Sequence, residues 1–357
     1  MRTPAVLPLS LALAIAALAG GCEKDTRPLP PSAQPVAIDP ADLALFAPLP
    51  DVVAAAEGAP SAELVDLGRM LYFEPRLSKN QKISCNTCHD LAKYGVDGLP
   101  TSEGHKGQRG SRNAPTVYNA AAHFAQFWDG RAHDVEAQAK GPILNPVEMA
   151  MPGEATVVAV LTSMPEYVER FGRAFPGDKA PVTYDNMARA IGAFERRLMT
   201  PSRWDKLLRG DTSALTPDEV AGFKAFVAAG CQTCHHGALL GGTVYQRLGL
   251  VKPFPRDADT GRMQVTREAV DKASFKVPSL RNIDKTGPYF HDGGTTGLAQ
   301  AVKDMAEYQL GRALTDAQVA QIVTFLKVLT GDIDPAYIAP PALPASTPAT
   351  PKAEEVN

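Results

Sequence analysis

The sequence predicts a mainly α-helical chain of two tandem domains with long loops, related to each other by internal duplication. Three observations carry that reading. Apolar residues recur at helical spacing in the strongly patterned segments, while alternating strand patterns are few. A cysteine–histidine knot occurs twice, in SCNTCHDLAKYGVDG at residues 84–98 and in CQTCHHG at 231–237. Behind each knot comes a matching stretch, APTVYNAAAHFAQFWDG (114–130) and VPSLRNIDKTGPYFHDG (277–293). The two align without a gap, setting Pro115 on Pro278, Thr116 on Ser279, Val117 on Leu280, Asn119 on Asn282, Phe127 on Phe290, Asp129 on Asp292 and Gly130 on Gly293. Each half therefore reads as a helix, a CxxCH, a long loop, then P-[ST]-x-x-N and F-x-D-G.

Taken in order, residues 1–22 carry Arg2, an apolar stretch from Ala5 to Leu18 and small residues before Cys22. The apolar run is too short to span a bilayer, so it reads as a secretory signal that delivers the chain to the periplasm. Cleavage after Ala19 gives a soluble protein; cleavage before Cys22 gives a lipid-anchored one. Residues 23–60, rich in Pro and Ala, read as a linker or wrap. Ser61 then opens a helix with Leu64, Val65, Leu67, Met70 and Leu71 on its buried side, beginning a first domain over 61–200. Near its end, TYDNMARAIGAFERRLM sets Met187, Ile191, Phe194 and Leu198 on one face, as expected of a helix connecting the domains. The second domain, 201–337, starts toward its knot with a capping box at Thr216, Pro217 and Glu219, and Gly230 stops that helix one residue before Cys231. A Thr315/Gln318 box and the Val319, Ile322, Val323, Leu326 face predict a closing helix, and residues 338–357 read as a disordered Pro- and Ala-rich tail.

A chain of 357 residues, 45% apolar and 21% charged, has room for two such cores. Its net charge of −3 and lack of any basic stripe exclude nucleic-acid binding.

Paired cysteines outside the cytoplasm suggest a disulfide first, and a shared zinc site second. Neither explains why His89 and His235 each follow directly on the second cysteine of a pair. CxxCH is the attachment signature of c-type haem, in which two thiols add to the vinyl groups and the adjacent imidazole reaches the iron. Two haems on two c-type cytochrome domains are therefore expected, through Cys85, Cys88, His89 and Cys231, Cys234, His235. The repeats diverge where chemistry would need them to: Trp128 in the first F-x-D-G is replaced by His291 in the second. The loop PTSEGHKGQRGSRN after the first knot holds His105 in a Gly-rich, mobile-looking segment. His105 is either the opposite axial ligand of the first haem or a solvated loop histidine.

The run SCNTCHDLAKYGVDG, the TSEGH loop, RNAPTVYNA, QFWDGRA, QAKGPILNPVEM, SMPEYVERF, PYFHDGG and QIVTFLKVLTGD resembles, in order from about residue 40 to 335, the bacterial di-haem cytochrome c peroxidases. The resemblance implies a division of labour. Cys85, Cys88 and His89 would hold the low-potential, peroxidatic haem, with His105 as a removable sixth ligand. Cys231, Cys234 and His235 would hold the high-potential, electron-accepting haem, with Met305 as its sixth ligand and Met263 as the rival. Glu148 would be the distal acid–base, Gln138 its hydrogen-bonding neighbour, and Trp128 the aromatic between the haems. A calcium ion would sit on the Asn113 side chain and the carbonyls of Thr286 and Pro288. The implied reaction is reduction of hydrogen peroxide to water, with electrons from a small cytochrome c or copper protein, in a homodimer. A di-haem electron carrier and a haem-pair oxidant of a protein substrate are the alternatives; the latter proteins carry Tyr where this chain has Met305.

Overall fold

In a computed structural model, residues 1, 38–55 and 58–354 are described; Cys22 and most of the amino-terminal segment lie outside them. The Ser61 hydroxyl accepts from the Leu64 amide (3.2 Å) and starts helix Ala62–Tyr72, which buries Val65, Leu67, Met70 and Leu71. It crosses helix Tyr184–Glu195 with backbones nearly touching, since a β-carbon at Gly68 would overlap the Ala190 carbonyl oxygen. Helix Val135–Leu144 packs on the same partner. The segment 184–195 is thus the inner helix of the first core rather than a connector between domains. Its Met187, Ala190, Ile191 and Phe194 are buried mainly among residues of the first half, with Tyr337 stacked on Phe194 at 5.1 Å.

A second core forms around Trp204, Phe223, Phe226, Phe325 and Leu326. Helix Pro217–Ala229 begins at the Thr216/Glu219 capping box, ends at Gly230 in the left-handed region (φ 90°), and packs on helix Asp316–Val328, itself begun by the Thr315/Gln318 box. Gly222 makes this crossing as Gly68 makes the first, its missing β-carbon leaving room for the Gln321 carbonyl. Strands are confined, among the described residues, to a two-stranded antiparallel pair, Tyr245–Arg247 with Ser274–Lys276.

Residues 38–55 and 338–354 each pack on the core distant from them in sequence. Residues 38–55 behave as the wrap: Phe46 inserts beside Trp204 and Phe223, the Leu49 amide donates to Asp205 (2.7 Å), and Leu45 receives the Gly237 amide behind the second knot. The expected disordered tail is instead a strap over residues 338–354. Leu343 packs on the first core, Arg76 donates to Ser346 (2.9 Å), Thr347 to the Ser163 carbonyl (2.8 Å), Gln81 to the Pro351 carbonyl (2.8 Å), and Glu354 pairs with Lys79 and Lys106. Proline denies that segment a helix but leaves it extended, and hydroxyl side chains along it supply hydrogen bonds that composition alone does not weigh.

The two matching stretches fold alike. Asn119 and Asn282 are both left-handed at φ 60°, as are Phe127 and Phe290 (64° and 70°) and Gly130 and Gly293 (70° and 63°). The side-chain amides of Asn119 and Asn282 both donate to the hydroxyl of Thr200, each at 2.8 Å, so one buried threonine joins the two halves. Asn282 also accepts from the Gly331 amide (3.0 Å), and Asn119 from that of Thr200 (3.0 Å).

Candidate functional site

The first knot is one helical turn, Cys85–Cys88, held at its start by Ser84 and Thr87 and at its end by the His89 amide bonding Cys85 (2.9 Å). Tyr72, from the helix that leads in, donates to the His89 carbonyl (2.7 Å). The second knot turns in the same way over Cys231–Thr233, with the His235 amide on the Cys231 carbonyl (3.0 Å) and Nδ1 of His235 against the Leu240 carbonyl (3.0 Å). That contact places the proton on Nδ1 and leaves Nε2 as the free lone pair. Burial lowers the pKa of His89 and takes that of His235 down to about 4, a shift toward the neutral imidazole in both. The four cysteines are free thiols, and burial pushes Cys88 and Cys231 up to about 11. Among the described residues no group of three or more His, Cys, Asp or Glu side chains could hold a metal ion, so the knots do not converge on one zinc.

His105 is only 4% exposed, and its Nδ1 is buried with no hydrogen-bond partner among the described residues. A solvated loop histidine is therefore ruled out. Leaving that buried nitrogen unsatisfied costs about 1–3 kcal/mol. Its Gly-rich loop is closed rather than open: Gly104 donates to the Gln108 carbonyl (2.8 Å) and Arg109 pairs with Glu103 (3.0 Å). The loop rests on the NPVEM segment, through the His105 amide on the Glu148 carbonyl (2.7 Å) and through Gly104, whose missing β-carbon makes way for the Val147 carbonyl. Main-chain contacts, with the Gln108 side chain donating to the His105 (3.1 Å) and Pro146 (3.3 Å) carbonyls, thus couple the position of His105 to that of Glu148.

The Glu148 side chain is half-buried, one oxygen accepting from Asn145 (2.8 Å). Burial raises its pKa above the usual glutamate value, against the charge of Arg131 and the Asn145 bond. Its charge is felt at Cys88, which places it on the side of the first knot. Gln138 lies half-buried on helix Val135–Leu144, which runs directly into the Asn145–Glu148 turn.

Trp128 sits in the seam between the halves. Its indole donates to the Asn113 carbonyl (2.9 Å), its own carbonyl receives the Lys276 amide (2.8 Å), and its ring meets His291 edge-on at 6.4 Å. Asn113 is buried; its amide donates to the His291 carbonyl (2.7 Å), which brings it alongside the segment holding Thr286 and Pro288. Met305 opens a π-helical turn, Met305–Gln309, after helix Leu298–Asp304, a local distortion frequent at functional sites. Arg312 beyond it donates to the Ala228 carbonyl (2.8 Å) of the helix leading to Cys231. Beside Met263, Arg262 donates to the Asp129 carbonyl (3.0 Å), next to Trp128.

Sequence reasoning missed the arginines. The aspartate of each F-x-D-G is held by one, Arg112 on Asp129 (2.6 Å) and Arg256 on Asp292 (2.5 Å), and Arg112 also bridges to Asp259 (2.6 Å). An aspartate kept in both copies was the available signal. Arg281 and Asp205, wholly buried and 2.6 Å apart, tie the second repeat to the Ala238 carbonyl behind the knot.

A family profile described as "Di-haem cytochrome c peroxidase" matches residues 62–213. The chain is 49% identical over 296 residues to the cytochrome c551 peroxidase of Nitrosomonas europaea, covering 82% of this chain and 87% of that relative. It is 45% identical over 331 residues to the cytochrome c551 peroxidase of Pseudomonas aeruginosa, covering 91% and 95%. Among solved structures, a MauG-like protein associated with microbial copper homeostasis superposes with a TM-score of 0.73 at 27% identity, over 82% of this chain and 97% of that one.

Proposed function

The chain belongs to the di-haem cytochrome c peroxidase family, and from that premise we propose which residues perform the reaction in this enzyme. It is a peroxidase carrying two c-type haems, one at each CxxCH, and it reduces hydrogen peroxide to water with electrons from a cytochrome c or copper-protein donor. Bound at the two knots, the haems would supply the redox iron for storing electrons and for reducing peroxide. Everything else falls to the chain. His89 and His235 would hold the two irons through neutral imidazoles, Met305 would be the second ligand at the second knot, and His105 would be the removable ligand at the first. Glu148, whose second carboxylate oxygen is free of Asn145, takes a proton from hydrogen peroxide and returns it to the departing oxygen, which leaves as water. Two electrons and two further protons complete two waters per peroxide. Gln138 orients the peroxide, and Trp128 bridges the halves through which electrons pass.

The observation that carries this assignment is the bond between the His105 amide and the Glu148 carbonyl. A ligand that must leave and an acid–base group that must then act are mounted on one another. Duplication of a single cytochrome domain is supported by the paired left-handed positions and the shared Thr200. Calcium at Asn113, Thr286 and Pro288 is supported by the approach of those segments; oxygen donors suit that cation. Homodimer formation, export to the periplasm and lipidation at Cys22 complete the proposal.

The testing experiment counts covalent haems per chain and follows peroxide-dependent oxidation of a reduced cytochrome c. Two haems with steady peroxide consumption is the expected result. Two haems that relay electrons and leave peroxide untouched would make the protein a carrier. A haem-pair oxidant of a protein substrate would instead favour Tyr at the Met305 position.

A further inference from the structure

Lys276 is only 6% exposed, yet no carboxylate among the described residues is close enough to stabilise its charge. The one hydrogen-bond partner of its side-chain nitrogen among the described residues is Nδ1 of His123, at 2.6 Å. An ammonium has only donors, so His123 must accept there, and its own proton is then confined to Nε2. That Nε2 is itself buried with no acceptor. The pair therefore presents donors alone: two ammonium hydrogens and one imidazole N–H, in a place shielded from water. Burial of an uncompensated ammonium is among the costliest arrangements a fold can hold, and burial alone brings Lys276 down to about 7. Such a site is complete only with an anionic acceptor.

The place of the pair says which acceptor. Lys276 ends the strand Ser274–Lys276, and its amide is bonded to the Trp128 carbonyl. Two residues on, the backbone of Pro278 lies against the His235 ring. The His123 ring packs on Gly242, whose amide bonds Val277 and which follows the loop bearing the Leu240 partner of His235. Both donors thus border the second knot, on its seam with Trp128. A c-type haem is fixed there by its vinyl groups and brings two propionate carboxylates with it.

We propose that Lys276, oriented by His123, binds a propionate carboxylate of the haem carried by Cys231, Cys234 and His235, positioning that haem and raising its reduction potential. The inference rests on the two-haem reading. The buried positive charge favours the reduced iron, adding to the effect of a methionine ligand. Lys276 is a positioning residue, and neither knot uses it for attachment.

The experiment compares wild type with Lys276→Met and Lys276→Arg, loaded with haem, by potentiometric titration of each haem separately. Expected are two covalent haems in each variant, a lower potential at the second haem in Lys276→Met with the first unchanged, and recovery in Lys276→Arg. Fewer than two covalent haems in wild type would overturn the two-haem premise. Two haems with both potentials unchanged in Lys276→Met would overturn the role of Lys276 alone. A wild-type second-haem potential that moves with added acetate would assign the donors to a carboxylate from solution, against the propionate. Should Lys276→Met fail to load, redox difference infrared spectra of wild type decide: an ionised, hydrogen-bonded propionate coupled to reduction of the second haem is expected, and its absence overturns the proposal.

Discussion

Replacing Glu148 by Gln separates proton transfer from every other task of the first site. The side chain keeps its size, and its amide oxygen can still accept from Asn145, which lies 2.8 Å away. His105 is held by the main-chain carbonyl of residue 148, not by the carboxylate, so its loop should not move. What is lost is a group that can both take and give a proton. Losing a general acid–base costs about a hundredfold or more in turnover, equivalent to about 2.7 kcal/mol of barrier. The assay is steady-state peroxide reduction with a reduced cytochrome donor, read beside the visible spectra of both haems. Turnover reduced about a hundredfold with both spectra intact is expected. A pH profile adds a signature: burial raises the Glu148 pKa, so the acid limb of wild-type turnover lies above the ordinary glutamate range and disappears in Glu148→Gln. Unchanged turnover in the variant would remove Glu148 from the reaction.

Further outcomes follow from the packing. Asn282→Ala removes buried bonds to Thr200 and Gly331 and puts alanine at φ 60°, so unfolding should become easier by about 3 kcal/mol, measured by denaturant titration. Truncation after Leu343 should lower the melting temperature by about 4 °C, through loss of the strap's bonds to Arg76, Gln81 and Ser163; an unchanged melting temperature would mean the strap is idle. Glu195 is buried next to Glu136 and lifted from 4.5 to about 8. Its folded form holds the proton more tightly than the unfolded chain, so its contribution to stability is full below 4.5 and is lost as pH rises through about 8. Glu195→Gln should flatten that slope in pH-dependent thermal melts.

Much of this architecture was legible in the sequence because it is local. Capping boxes at Thr216 and Thr315, the stop at Gly230 and the helix after Ser61 depend on residues within one turn of each other, and all form as read. The gapless repeat foretold positions sharing one backbone conformation, down to the left-handed Asn119 and Asn282. What stayed hidden depends on partners far along the chain. The helix at 184–195 showed its stripe but not which core would take it. The proline-rich tail showed why it forms no helix, and nothing of the hydroxyl contacts that seat it on the first core. His105 could be read as ligand or loop, and only its burial speaks against a solvated loop residue. Lys276 and His123 lie 153 positions apart and carried no motif.

The division of labour between the two haems is tested most directly by adding one electron per chain, with calcium present, and observing the coordination of the first haem while peroxide is supplied. Departure of His105 from the first iron and onset of turnover in that half-reduced state is the predicted result. Both haems remaining six-coordinate, with no peroxide consumed, would contradict it.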